Sequence, residues 1–279
     1  MGFIRKLLGL GALTLASLTF NPKKAEACSS AVPMGRGATN VAVADDASAA
    51  YWNPAGLVQL EMPELDLTYS PNNWYRGFLC YATPLNKKSA IGANLCYKSR
   101  EDAFGTFETY WAKASYSQEL TENLSLGVNY GLRTTYQNGE PVTDADGESY
   151  FECKDLGILY KPNKKLKLGL LLQNHGVLNV RPGASLTLND KTLAVVEGYN
   201  ITNAGHRELR LGLEHKINES FSARGGILYA GRAVPTLGFS YTKGNTKSSV
   251  AVFYDESARE YDFSSNKTQF LFSLNKKLN

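Results

Sequence analysis

Residues 34–60 read MGRGATNVAVADDASAAYWNPAGLVQL. The run is rich in Gly and Ala, carries an acidic pair at Asp45 and Asp46, and ends on Asn53-Pro54-Ala55-Gly56. Gly35 and Gly37 predict a flexible lead-in. Asp45 or Asp46 is placed to cap a short helix that includes Ala47 to Tyr51. The residue before Pro54 is pushed out of the helical region, so the helix should stop near Trp52. Gly56 then permits a tight turn. A helix of small residues halted by a turn fits a narrow enclosure, close to other backbone. Asn-Pro with a Gly would alone be an ordinary turn. The whole run, set between an export signal and a long series of strands, carries more information.

That run resembles the N-terminal hatch of the FadL/PorV superfamily of outer-membrane β-barrels. The resemblance rests on Gly35, Gly37, Asp45 to Ser48 and the run Tyr51, Trp52, Asn53, Pro54, Ala55, Gly56, Leu57. It implies an all-β fold, a transmembrane antiparallel β-barrel of about fourteen strands with the hatch inside its lumen. The stretches WYRGFLCYATP (74–84), LTENLSLG (120–127), DLGILYKP (155–162) and LGLLLQNHG (168–176) are similar to recurring strands of PorV-like proteins.

The N-terminus reads as an export signal. Arg5 and Lys6 precede an apolar run from Leu7 to Phe20, too short to span a bilayer. Ala25-Glu26-Ala27 is an A-x-A-like cleavage site. The expected division is signal peptide 1–27, hatch 28–63 and barrel 64–279. Cys28 directly after the site leaves lipid attachment as an alternative. The chain has net charge +4, and the basic excess sits in the signal, so the rest offers no nucleic-acid surface. Mean hydropathy of −0.28 argues against helical spans. It does not argue against a barrel, whose strands turn only alternate residues to lipid. Exported cysteines can oxidise. Cys80 and Cys96 fall on adjacent predicted strands as cross-strand candidates, although small buried or lipid-facing thiols are the simpler reading.

After Pro63 the alternation is that of strands. Leu124, Leu126, Val128, Tyr130 and Leu132 alternate with Ser125, Gly127, Asn129, Gly131 and Arg133. Segments 166–173, 209–214 and 237–242 repeat the pattern. One face suits lipid, and the other is rich in Gly and small residues, which suits a narrow lumen containing a plug. The predicted strands are 65–70, 74–84, 90–99, 109–118, 124–136, 151–161, 166–174, a weak 184–188, 192–200, 207–216, 221–230, 234–242, 248–255 and 268–274. Short polar turns alternate with longer loops, as in transmembrane barrels. The chain does not end on an aromatic residue; Phe272 is the candidate insertion signal.

Catalytic motifs are missing, so the expectation is no enzyme, no cofactor and no metal. His175, His206 and His215 fall at strand ends or loops. Asp144-Ala145-Asp146-Gly147-Glu148 is like the start of a calcium loop but lacks its closing Glu. Lys113, Arg133, Arg210, Glu214 and Arg224 are expected in the lumen, paired there with a hatch carboxylate such as Asp45 or Asp46. Gly225-Gly226 is the sequence candidate for a bend that would open the wall sideways. The resemblance implies a passive channel for hydrophobic small molecules, with Tyr51, Trp52 and Leu57 along the path. The PorV side implies a component of a type IX-like secretion system with secretion proteins as partners. A structural outer-membrane protein is a third reading. Outer-membrane lipid is the expected surroundings in each.

Overall fold

The computed structural model describes residues 30–71, 77–102, 105–143, 149–174, 178–202, 207–254 and 268–279. The expected export signal, Cys28, the run 144–148, His175 and His206 lie outside them. Fifteen strands form one antiparallel sheet. They are β1 (Glu64–Tyr69), β2 (Gly77–Asn86), β3 (Ser89–Asp102), β4 (Gly105–Thr121), β5 (Leu124–Gln137) and a two-residue β6 (Glu140–Pro141). The rest are β7 (Tyr150–Tyr160), β8 (Leu166–Asn174), β9 (Leu178–Asn189), β10 (Thr192–Tyr199), β11 (Glu208–Lys216), β12 (Phe221–Tyr229), β13 (Ala233–Lys243), β14 (Thr246–Tyr254) and β15 (Thr268–Lys277).

Fourteen of these close a barrel, because β1 pairs with β15 and β4 with β5. Closure leaves no unpaired edge, which is the condition for strands to cross a bilayer. The two-residue β6 folds back to pair with the end of β5 and was not expected. The predicted weak strand at 184–188 is the second half of a longer β9. Pro182 and the polar residues around it hide its first half, since a proline cannot donate to a ladder.

Alternation sorts the two faces as the sequence implies. Ser125, Gly127, Asn129 and Gly131 are buried, while Val128, Tyr130 and Leu132 are exposed. Leu67, Leu95, Leu211, Leu213, Leu237 and Phe239 add to an exposed apolar band around the barrel. Water would not tolerate so much contiguous apolar surface on a monomer, whereas lipid covers it. Tyr81, Tyr116, Tyr160 and Tyr241 stand toward the short-turn end of that band, with Tyr69, Tyr110, Tyr150 and Tyr229 toward the other. Two aromatic girdles of this kind mark membrane–water interfaces.

Residues 30–60 lie inside the barrel and are almost wholly buried. They hold a helix at Ala31–Gly35, a second at Ala49–Trp52 and a 3-10 turn at Pro54–Gln59.

Candidate functional site

The barrel interior is the candidate site, and small residues on its wall set how closely the N-terminal segment can approach. A β-carbon at Gly127 would overlap the backbone of Pro54 and Ala55, and one at Gly157 would overlap Asn53 Oδ1. At Gly169, Gly212 and Gly226 it would overlap the backbone of Val41, Arg36 and Gly37. The Gly-rich lumen face is thus a contact surface for main chain. On the segment itself, Gly37 has φ +70° and lies against Leu211, while Gly35 packs on Gly238. Neither is a flexible lead-in. Gly56 sits within the tight 3-10 turn, and there it also abuts the Ala44 carbonyl, which leaves no room for a β-carbon.

Irregular backbone in a buried place must find partners. Wall side chains supply them. Ser125 Oγ donates to Ala55 O at 2.8 Å, Asn94 Nδ2 to Ala50 O at 2.9 Å and Ser185 Oγ to Ala42 O at 3.2 Å. Ser273 Oγ accepts from Ala31 N at 2.7 Å. Thr236 Oγ1 accepts from Gly37 N at 2.9 Å.

Asn53 is the joint of the segment. Its Nδ2 donates to Val41 O at 2.8 Å and to Ile158 O on β7 at 3.1 Å, and its Oδ1 accepts from Ala55 N at 3.2 Å. One fully buried amide therefore joins two parts of the segment to the wall. Asn53→Ala should weaken docking of residues 41–57 by about 2–5 kcal/mol, because buried amide and carbonyl groups lose partners. Hydrogen–deuterium exchange at those amides is expected to accelerate while exchange in the strands stays slow.

Neither aspartate is the N-cap of the helix: that position is Ser48, whose side chain makes no capping bond, and Asp46 braces Ser48 from just before it. Asp46 Oδ1 accepts from Ser48 N at 3.0 Å and from Ser48 Oγ, whereas Asp45 points to solvent. The helix is shorter than predicted and starts at Ala49.

The charges are in the lumen, but their partners differ from the expectation. Lys113 pairs with Asp155 at 2.8 Å, both fully buried. Arg210 pairs with Glu208 at 2.7 Å and donates to Ala38 O at 3.1 Å. Arg224 and Glu214 pair with each other at 3.0 Å. Arg133 lies over the rings of Trp111 and Phe151, at 6.0 and 5.1 Å. Wall carboxylates, not Asp45 or Asp46, neutralise Lys113, Arg210 and Arg224. The cation near Asp46 is Lys247, at 3.9 Å.

Several residues escaped the sequence reading. Arg36 of the segment pairs with Glu214 at 2.6 Å and also holds Asn40 Oδ1 at 2.8 Å. Glu197 Oε2 accepts from Asn40 N at 2.9 Å and Val41 N at 3.0 Å, while its Oε1 takes Arg181. Arg181 also lies over Trp52 at 4.8 Å and Tyr199 at 5.0 Å. Lys167 holds Gln59 at 2.8 Å, and Gln59 binds Val43 O and Ala44 O at 2.9 Å.

Apolar side chains stand one inward-facing step beyond the docked segment, toward the long-loop end. Trp111 is two residues beyond Lys113, Leu228 two beyond Gly226 and Phe253 two beyond Ala251; Val234 precedes Thr236 by two. Trp111, Val234 and Phe253 are only half buried. Tyr51, also half buried, meets Phe78 edge-on at 5.5 Å. Trp52 and Leu57 are buried under the segment instead.

No bend interrupts pairing at Gly225-Gly226, where one was expected: both pair on each side. The β9–β10 register ends at Gly183–Glu197, while β9 continues outward through Pro182 to Leu178 paired with β8, and Thr202 Oγ1 donates to Leu178 O at 2.8 Å. Beyond the end of the register, Ile201 N donates to Val180 O at 3.1 Å.

No protein-family model matches the chain, and no curated protein does. Solved structures do match in fold. The toluene transporter TbuX of Ralstonia pickettii superposes with a TM-score of 0.67 at 13% identity, over 90% of this chain and 98% of that one. The toluene transporter TodX of Pseudomonas putida gives 0.62 at 12%, over 93% and 98%. A FadL homologue of Pseudomonas aeruginosa gives 0.62 at 11%, over 93% and 99%. Closed fourteen-stranded topology, apolar outer band and small-residue lumen together make this a membrane β-barrel similar in fold to the FadL-type hydrocarbon channels.

Proposed function

We propose that this chain is a passive outer-membrane channel for hydrophobic small molecules, with residues 28–63 as a hatch in the lumen. The observation that carries the reading is the apolar floor on the long-loop side of the segment. Tyr51, Phe78, Trp111, Leu228, Val234 and Phe253 form it, where a hydrophilic pore would present a ring of unpaired charge. The lumenal charges are mostly spent on one another or on hatch backbone, so they support the hatch and do not select ions. The likeness in fold to the toluene transporters TbuX and TodX supports the same reading.

An exit follows from the wall. A closed ladder offers an apolar solute no way into lipid, and an interrupted one does. The proposed side opening is the stretch above Gly183, where Pro182 cannot donate. The β9–β10 register there gives way to the loop contacts Ile201 N to Val180 O and Thr202 Oγ1 to Leu178 O. Both would have to part for a solute to leave. The secretion role and the purely structural role gain no support from these neighbours, and no feature of the interior favours either.

Calorimetric titration of the barrel in mild detergent with toluene as probe tests the reading. Saturable binding is expected, weakened about tenfold by Trp111→Ser through loss of the aromatic surface. Absence of saturable heat with the parent chain, or binding indifferent to Trp111, would overturn it.

A further inference from the structure

Four lysines stand at the short-turn end of β13, β14 and β15, and strand parity divides them. Lys247 and Lys277 face the lumen, toward Asp46 at 3.9 Å and Glu64 at 3.7 Å. Lys243 and Lys276 face outward and are exposed, with no carboxylate in ion-pair reach among the described residues. Register sets them level with Thr246, one on each side of it. We infer that this outward pair is the headgroup clamp of a site for one anionic phospholipid, whose acyl chain lies in a groove on the outer wall along β14.

The groove follows from side-chain size on three neighbouring strands. The outward residues of β14 after Thr246 are Ser248, Val250 and Val252. Each is flanked in register by two larger ones: Ser248 by Tyr241 and Leu274, Val250 by Phe239 and Phe272, Val252 by Leu237 and Phe270. Phe239 and Phe272 are 52% and 49% exposed, whereas Val250 between them is half-buried, so the flanks stand proud of the floor. Phe221 meets Tyr241 at 5.1 Å and thickens one flank. From Thr246 to Val252 the floor measures about 20 Å of strand. At a barrel tilt of about 40° it rises about 15 Å, half of a hydrocarbon core about 30 Å thick. That is the depth of one leaflet, so the length suits an acyl chain.

The clamp sits at headgroup depth. Lys276 pairs in register with Leu65, and Leu65 with Tyr81, one of the tyrosines of the girdle at this end. The adjoining turn holds the geometry: Asn245 O accepts from Lys277 N at 2.8 Å, and Asn245 Nδ2 donates to Asn279 Oδ1 at 2.8 Å. The two lysine α-carbons are two strand spacings apart, about 10 Å. Their flexible four-carbon stems let both ammonium groups reach one phosphate. Thr246, between them, offers its hydroxyl to the same group. Charge selects the occupant: an anionic headgroup satisfies both lysines, while a zwitterionic one brings a competing cation to the clamp. The bound lipid ties β13 to β15, the strand that closes the barrel on β1. The inference rests on the membrane position of the barrel and not on its cargo.

Native mass spectrometry of the delipidated barrel tests it, with phosphatidylglycerol and phosphatidylcholine of matched chains added in equal amounts. One retained phosphatidylglycerol per barrel is expected, favoured about thirtyfold over phosphatidylcholine, since each lysine near an anionic headgroup contributes about fivefold. The Lys243→Gln/Lys276→Gln variant should lose that preference. Ser248→Trp, which fills the groove, should lose the retained lipid with both lysines intact. Heat-modifiable mobility on a gel checks that each variant has formed its barrel. Equal retention of the two lipids by the parent chain would overturn the inference, as would a preference that survives loss of both lysines. Retention untouched by Ser248→Trp, or matched by soluble glycerol phosphate, would mean a charge contact without a groove and would overturn it too.

Discussion

A chain lacking Ala47–Leu57 is expected to fold as a barrel and to conduct ions steadily across a planar bilayer, where the parent chain stays near baseline. The argument separates what holds the wall from what fills it. Every strand pairs with its neighbours around the ring, and closure comes from β1 against β15 and β4 against β5. No wall hydrogen bond between strands passes through residues 47–57. Those residues carry the second helix, Asn53 and most of the 3-10 turn, which lie against β3, β4, β5 and β7. Their removal empties that side of the lumen. It also exposes Lys113, Asp155, Asn94 and Ser125, which water then fills around. Heat-modifiable mobility on a gel checks that the barrel has formed, and single-channel recording reads the leak. A folded barrel with unchanged conductance would show that these residues do not close the lumen.

The wall was legible in the sequence because a strand in a membrane barrel has two chemically distinct neighbours, lipid and lumen, at a period of two. Leu-Ser-Leu-Gly-Val-Asn-Tyr-Gly at 124–131 carries that signal, and the structure buries the Ser, Gly and Asn positions. The run at 34–60 stood out as a small-residue segment suited to a narrow enclosure, and it is buried inside the barrel, but the reasons for its residues were not legible. Asn53 reads as half of a turn, whereas it works as a donor to Val41 and Ile158. The ion pairs were the least legible. Their partners are set by which strand stands beside which, as with Lys113 and Asp155, separated by 42 positions along the chain. Face parity could have found half of each pair. Asp155 shares the lumen parity of Gly157, and Glu197 lies two residues from the inward Val195. Arg181 was hidden because Pro182 broke the strand pattern around it. Arg36, between two glycines, looked like part of a loose lead-in. Its burial follows from close backbone packing that only the folded barrel reveals.

Gly226→Val is expected to displace the hatch, while Gly225→Val, one residue away, should leave it in place. The two glycines sit in mid-strand on β12 and face opposite ways. At Gly226 a β-carbon would overlap Gly37 N, with Gly37 Cα and Arg36 C close behind. Those are main-chain atoms, and Arg36 is tied to Glu214 at 2.6 Å, so no flexible tip can swing away. Overpacking of ordinary side chains costs about 1–3 kcal/mol, and a rigid backbone neighbour places this site at or above the upper end. Relief requires Arg36-Gly37 to lift from the wall, which strips Gly37 N from Thr236 and leaves Glu214 with Arg224 alone. At Gly225 the nearest group is Leu237 Cδ2 at 3.9 Å on the apolar outer face. Valine there meets lipid, restores β-propensity and should be neutral or stabilising by up to about 1 kcal/mol. The paired measurement is conductance with protease accessibility of residues 30–46. Leak and cleavage in Gly226→Val alone are expected. Equal behaviour of the two variants would mean that the glycine face of the wall is not where the hatch docks, and that the small residues of the lumen serve only the curvature of the strands.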